Sequence, residues 1–174
     1  MAAIASIIVV YDTFSIPTAN ILKATVNDQK VSLTLKELAV DNTIGHIFDI
    51  QAPSADVANK FHALVSDIMR RNDIGFILLN GEKIPRYEIE ALLNEFTEGL
   101  LVIDGHKIWA SNIGAITFDS DNNLTILLRH KMSLPNDINA TYFRIHFNSF
   151  EDRHQFHNKV IAAIYYGSKL SYNG

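Results

Sequence analysis

Residues 106–120, HKIWASNIGAITFDS, decide how this chain is organised, because a related stretch lies 92 residues earlier. The earlier stretch is residues 14–28, FSIPTANILKATVND. Four aligned pairs are identical: Ile16/Ile108, Asn20/Asn112, Ile21/Ile113 and Thr25/Thr117. We interpret the pair of stretches as an internal duplication.

The similarity extends over two blocks. Residues 10–29 match 102–121 at six of 20 positions, and residues 47–69 match 142–164, now 95 apart, at six of 23. The change of spacing falls in predicted loops, where insertions are tolerated. Two amphipathic units can also resemble each other through patterning alone. Patterning does not explain the matching N-cap serines, Ser54 and Ser149, or the matching Phe-His pairs at 61–62 and 156–157.

The first copy reads as four strands and a helix. Strands are predicted at 5–12, 14–26, 31–38 and 46–51, from β-branched runs and alternating apolar residues. Ser54 is a suitable N-cap for a helix that ends near residues 70–71. Its apolar stripe consists of Val57, Phe61, Leu64, Val65 and Ile68.

The second copy follows the same pattern after a connector. In the connector, residues 73–84 predict a strand and an Asn-Gly turn, and a helix follows at 86–97. The second copy begins with a hairpin around Asp104-Gly105. Strands are expected at 124–131 and 142–147, separated by a loop over 133–141. A helix capped by Ser149 carries the stripe Phe156, Val160, Ala163 and Ile164.

The predicted fold class is therefore α+β: two tandem ββββα units with pseudo-twofold symmetry. Residues 1–72 form the first unit, 73–99 the hairpin and helix connector, and 100–174 the second unit. Such a duplicated chain can imitate a homodimer.

Composition narrows the functional classes. The chain has 174 residues, 48% of them hydrophobic, no cysteine and a net charge of −4. Disulfides and thiolate metal sites are excluded. No apolar run reaches the roughly 18–20 residues that span a bilayer, and the N-terminal apolar run lacks the basic region of a signal peptide. We expect a cytoplasmic protein or a component of a virion, with no membrane contact.

No known catalytic motif is present, so we expect no enzymatic activity, no cofactor and no metal site. His154 and His157 are three residues apart on a predicted helix, but a metal site needs three or four converging ligands. We expect packing roles for His62 and His157, with a metal or catalytic role as the alternative. Asp12 and Asp104 are expected to serve their turns, with a pair of acid–base carboxylates as the alternative. Asn20 and Asn112 are expected to bond neighbouring backbone or to mark a bulge.

One set of residues suggests a binding surface. Basic side chains cluster in the second unit, with aromatic residues nearby, as on sheets that stack single-stranded nucleic acid. The residues of this candidate site are Lys107, Trp109, Arg129, Lys131 and Arg144. The alternative is an ordinary solvated sheet face. The first unit has fewer cations, and Asp49 stands where the second unit has Arg144.

A four-strand sheet followed by a helix, twice in one chain, resembles the architecture of Pur-type and Whirly-type single-strand nucleic-acid-binding domains. It is also similar to part of a bacterial pleckstrin-homology-like barrel. No specific motif carries either resemblance, and the first unit departs from the basic, aromatic sheet faces of Pur-type repeats. The likeness is one of architecture alone.

The leading functional hypothesis is a non-catalytic module that binds other protein subunits or copies of itself, within a larger assembly. The acidic balance, the duplication and the missing catalytic motifs support it. The alternative is binding of single-stranded nucleic acid through the sheet of the second unit. Such proteins usually carry a positive excess, which here exists only locally.

Overall fold

The chain folds as a mixed α+β protein that consists mostly of sheet, with two helices in the described part. The structure, a computed structural model, describes residues 7–10, 13–40, 46–71, 76–79 and 99–174. The first half contributes β1 (Ile7–Val10), β2 (Phe14–Pro17), β3 (Ile21–Asn27), β4 (Lys30–Leu35), β5 (Ile47–Gln51), α1 (Ala55–Arg71) and β6 (Phe76–Leu79). The second half contributes β7 (Leu100–Ile103), β8 (His106–Trp109), β9 (Ile113–Phe118), β10 (Asn123–Leu134), β11 (Ile138–His146), α2 (Phe150–Tyr166) and β12 (Lys169–Tyr172).

The strands form one large sheet and two small ones. The six-stranded sheet has the order β11-β10-β9-β2-β1-β6, and it joins the two halves where β2 pairs with β9. The small sheets have the orders β3-β4-β5 and β12-β7-β8. β1 and β6 run parallel, as do β7 and β12; the other paired strands are antiparallel.

The six-stranded sheet is the central layer, because each of its faces packs against a separate apolar core. Ile8 faces the first core, with α1 and the β3-β4-β5 sheet. Its neighbours Ile7 and Val9 face the second core, with α2 and the β12-β7-β8 sheet. Alternate side chains of a strand point to opposite faces, so a run buried on both sides must be apolar throughout. This explains the continuous apolar run of β1.

The units differ from the predicted ββββα pattern. In each half a two-stranded hairpin and a three-stranded segment precede the helix, and a further strand follows it. The predicted strand over residues 14–26 is wrong in one respect. β2 stops at Pro17, which has no N–H for the ladder, and a 3-10 turn (Thr18–Asn20) separates it from β3. The corresponding 3-10 turn of the second half is Ala110–Asn112.

The predicted loop over residues 133–141 is also wrong. β10 continues to Leu134 and β11 begins at Ile138, so the connection is only the three-residue turn Pro135–Asp137. Asn136 and Asp137 take left-handed backbone angles, with φ of 66° and 59°, which Asn and Asp tolerate better than most residues. The polar turn therefore closes a long hairpin.

The helices begin as expected. The hydroxyl oxygen of Ser54 accepts from the Val57 N–H at 3.2 Å, and that of Ser149 accepts from the Asp152 N–H at 3.1 Å. All four stripe residues of α2 are buried. In α1, Phe61 and Val65 are buried, but Leu64 is 42% exposed, so its predicted core position is wrong.

The connector is described only in part. Residues 76–79, which the sequence assigned to it, form β6 beside β1. The predicted Asn80-Gly81 turn and the helix at 86–97 lie outside the described residues.

Candidate functional site

The five residues of the predicted binding surface lie on two different sheets. Lys107 and Trp109 are on β8, in the β12-β7-β8 sheet. Arg129, Lys131 and Arg144 are on β10 and β11, in the six-stranded sheet. A single stacking platform over all five would require one continuous sheet face.

The two groups also lie on opposite sides of the second core. Ile108, between Lys107 and Trp109, and Ile145, next to Arg144, both belong to that core. Because side chains alternate along a strand, Lys107 and Trp109 point away from the core on one side and Arg144 on the other. The structure therefore does not bring the five residues together.

Arg129 joins the halves of the molecule. Its Nη2 donates to Oε1 of Glu37 at 2.8 Å, and Nε2 of His130 lies 3.0 Å from Oε2 of the same carboxylate. The Arg129 side chain is only 20% exposed. A bulge in β10 between Leu127 and Met132 places these residues at the junction. The sequence could not reveal this role, because the partners are 92 residues apart.

Arg144 is paired with Asp119, at 3.1 Å from Nη2 to Oδ2. The carboxylate of Asp119 also accepts from the side-chain amide of Asn123 and from the N–H groups of Asn123 and Asp121. The pKa of Asp119 is lowered, first of all by the Asn123 amide; burial opposes this shift, and the two N–H groups and the Arg144 charge lower the pKa further. The Arg144 side chain, on β11, is thus paired with an ordered turn.

Lys107, Trp109 and Lys131 are exposed, with 46% of Trp109 open to solvent. In the described part of the chain, no ion pair holds either lysine. Lys107 and Trp109 share one face of β8. Of the five predicted residues, Lys107 and Trp109 are therefore the cation and the aromatic residue that lie next to each other on the same face.

The two recurrent asparagines fix the backbone, as expected. Asn20 is fully buried; its amide donates to the carbonyl groups of Glu37 and Gly114, and its oxygen accepts from the Glu37 N–H. Asn112 makes the corresponding exchange with the N–H and carbonyl of His130. Strand pairing is irregular two residues after each, at Leu22 and at Gly114. Both predicted roles, backbone bonding and a neighbouring bulge, are therefore confirmed.

A buried Ser-His pair connects β2 to α2. Ser15 Oγ lies 2.7 Å from Nε2 of His157, and the side chains are 0% and 5% exposed. The Phe118 ring packs edge-on against the imidazole at 4.7 Å. Burial, followed by the charges of His154 and Arg153, lowers the pKa of His157 to about 3. A nucleophile must reach its substrate, so this pair acts in packing between the halves.

Two other histidines, His62 and His154, make local structural contacts. His62, the counterpart of His157 in the sequence comparison, donates from Nε2 to the carbonyl oxygen of Ala24 at 3.0 Å. His154 stacks on Phe150 at 5.8 Å. Within the described ranges, no three His, Asp or Glu side chains converge as metal ligands do. Asp104 forms the hairpin turn with Gly105, as predicted, whereas Asp12 lies outside the description.

Two end strands of the small sheets, β3 and β8, carry exposed apolar side chains, as does the end strand β5 with Ile47, which is 54% exposed. Each is the last strand of its sheet in the described structure, so one side of each carries no partner strand. Leu22 on β3 is 58% exposed, and Trp109 on β8 is 46% exposed. The sequence indicated Trp109 as a residue that could stack a nucleic-acid base, not as a residue of an open strand edge. It did not indicate Leu22, which lies in a segment predicted as an ordinary strand.

No helix in the described part of the chain is both long and apolar enough to cross a membrane. Comparisons with protein families, with curated proteins and with solved structures each found no match. Function must therefore be argued from the geometry of this chain.

Proposed function

We propose that this chain is a non-catalytic protein-contact module, made of two tandem copies of one unit and acting within a larger assembly. The observation that carries the proposal is the pair of open strand edges, β3 and β8, with Leu22 and Trp109 exposed beside them. Open edges present unpaired N–H and carbonyl groups to other chains. Strand addition at such an edge is a common mode of protein recognition.

The duplication is supported by the order and register of the elements. In residues 7–79 and again in residues 100–172, strands, 3-10 turn and helix follow in the same order. Both α1 and α2 have 17 residues. Ile7 pairs with Phe76 in parallel strands, and 93 residues later Leu100 pairs with Lys169. Asn20 and Asn112 also make matching hydrogen bonds to backbone groups, which hydrophobic patterning alone does not require.

The test is capture of partner proteins with purified wild-type chain as bait, in parallel with a Leu22→Ser/Trp109→Ser double variant. We expect a protein, or this chain itself, to bind the wild type in near-stoichiometric amount and to be lost with the double variant. Leu64→Ser is the matched control, since Leu64 is also exposed, at 42%, but lies on helix α1 and not on a strand edge. Equal capture by all three baits would contradict the proposal, as would a substrate turnover abolished by one polar substitution.

Binding of single-stranded nucleic acid is the second candidate. The exposed Lys107 and Trp109 on one face of β8 favour it, because a cation beside an aromatic ring can hold a phosphate and stack a base. Labelled single-stranded DNA and RNA should then bind in a salt-dependent manner, and Trp109→Ala should weaken binding several-fold. Arg129→Ala is the informative contrast, because Arg129 is engaged with Glu37. Absence of binding at low salt would remove this candidate.

A further inference from the structure

The two small sheets, taken together, repeat the strand order of the large sheet. The large sheet runs β11-β10-β9, then β2-β1-β6. Its counterparts by position in the chain are β5-β4-β3 and β8-β7-β12, which are the two small sheets. β2 and β9 are paired at the centre of the large sheet. The equivalent strands β8 and β3 are each left at an edge, as far as the described residues show.

We infer that β8 of one copy of this chain pairs with β3 of a second copy, in the register of the β2–β9 joint. In that joint Phe14 lies opposite Thr117 and Ser15 opposite Ile116. The residue 92 positions after each β2 residue, and 92 positions before each β9 residue, gives the equivalent pairs. These are His106 opposite Thr25 and Lys107 opposite Ala24. A second copy is sufficient as the partner because one chain carries both complementary edges. The inference rests on the proposed protein-contact function and names its partner.

This register brings the exposed apolar residues together. Continuing it by two residues brings Trp109 next to Leu22, the irregularly paired residue of β3; the two are 46% and 58% exposed in the single chain. Directly opposed residues share a face of the sheet. Lys107 and Lys23 fall on opposite faces, with Lys23 opposite Ile108, so the two lysines do not repel each other across the joint. Charge therefore does not oppose this alignment.

The two equivalent histidines mark the same point on both edges. His157 bonds to Ser15, the residue opposite Ile116 in the existing joint. His62 bonds to the carbonyl of Ala24, which is the counterpart of Ile116. His157 thus contacts the added strand, whereas His62 already occupies the Ala24 carbonyl, so pairing at Ala24 requires this hydrogen bond to be shared or released.

Closure within one chain has less support from the structure. On the β2–β9 side, the amide of Asn20 donates to the Gly114 carbonyl, and Leu38 covers Gly114. On the β8–β3 side, the described bonds of Asn112 go only to His130. The residue in the place of Leu38 is the exposed Lys131. The contacts that hold β2 against β9 are thus not formed between β8 and β3 in the described residues.

The absence of cysteine permits a sharp test with single-cysteine variants. Thr25→Cys and His106→Cys chains are mixed under mild oxidation. A disulfide between these two chains can form only between copies. We expect it to form at least about tenfold faster than with Thr25→Cys and Lys107→Cys, because Lys107 is out of register and faces the other way. The wild-type mass, measured by light scattering from low to high micromolar concentration, should rise above that of the monomer.

Two results would overturn the inference. One is a cross-linking rate no faster than the control together with a monomeric wild type. The other is rapid intramolecular disulfide formation in a monomeric Thr25→Cys/His106→Cys double variant, which would show that β8 closes on β3 of its own chain. Circular dichroism of each variant confirms folding, and the wild-type mass needs no substitution. If self-association fails but Leu22 and Trp109 still govern capture of another protein, the proposed function stands without this partner.

Discussion

Asn20 is the residue whose replacement should disturb the structure most for its size. It is completely buried and makes three side-chain hydrogen bonds, one of them across the halves to Gly114. Asn20→Ala leaves buried backbone groups without partners, which costs about 3 kcal/mol. Asn112→Ala removes only two bonds at a half-exposed site and should cost about 1 kcal/mol. Urea unfolding measures both, and equal losses would contradict this account.

His157 makes stability depend on pH in a defined window. Its pKa is about 3 in the folded chain, against an ordinary value of 6.5. Below pH 6.5 the unfolded chain therefore binds a proton at His157, whereas the folded chain binds it only near pH 3. Stability falls as pH decreases between these two values. Each pH unit in the middle of the window costs about 1.4 kcal/mol.

The measurement is the free energy of unfolding of wild type and of His157→Gln from pH 7 to pH 5. Glutamine keeps a polar partner for Ser15 and does not titrate. We expect the variant to lose less stability with falling pH than the wild type. Parallel curves would show that His157 is protonated equally in both states.

At the scale of single elements, Gly99 sets the approach of β7 to α2. A methyl group on Gly99 would overlap the backbone carbonyl of Ala163 and press on Ala110. Because a helix backbone cannot yield cheaply, Gly99→Ala should cost about 3 kcal/mol or more. Gly105→Ala is the control, since it has open space but a φ of +85°, and should cost about 1 kcal/mol. Thermal unfolding of both variants tests this expectation. A smaller loss of stability for Gly99→Ala than for Gly105→Ala would contradict the tight contact.

The sequence predicted those elements whose signals are local. Ser54 and Ser149 mark their helix starts through one hydrogen bond within the first turn, and Asp104-Gly105 specifies its hairpin through backbone angles. The break after Pro17 combines a local cause, the missing N–H of proline, with bonds from Asn20 to Glu37 and Gly114 that the sequence cannot show. The five predicted binding residues do not lie together, again because contacts between distant parts of the chain decide their positions. Which sheet carries Arg144, and which carries Trp109, is decided by pairing between distant strands.

At the scale of the whole molecule, the Glu37 carboxylate ties the halves together through Arg129 and His130. Glu37→Gln should lower the unfolding free energy by about 1 kcal/mol, since the pair is partly shielded from water. Asp56→Asn breaks the pair with Lys60, whose side chains are 75% and 70% exposed, and should cost at most about 0.5 kcal/mol. The Glu37 effect should also persist in high salt. Urea unfolding at low and high salt tests both statements, and equal small losses would remove Glu37 from the junction.

The β2–β9 pairing has a consequence for how the protein is made. β2 occupies residues 14–17, and its neighbour β9 occupies residues 113–118. During synthesis, β2 is therefore produced long before the strand that completes its side of the sheet. Until β9 has been made, β2 can pair with β1 on one side only. The central layer also needs β10 and β11, which end at His146, so most of the chain must be made before this sheet can be complete.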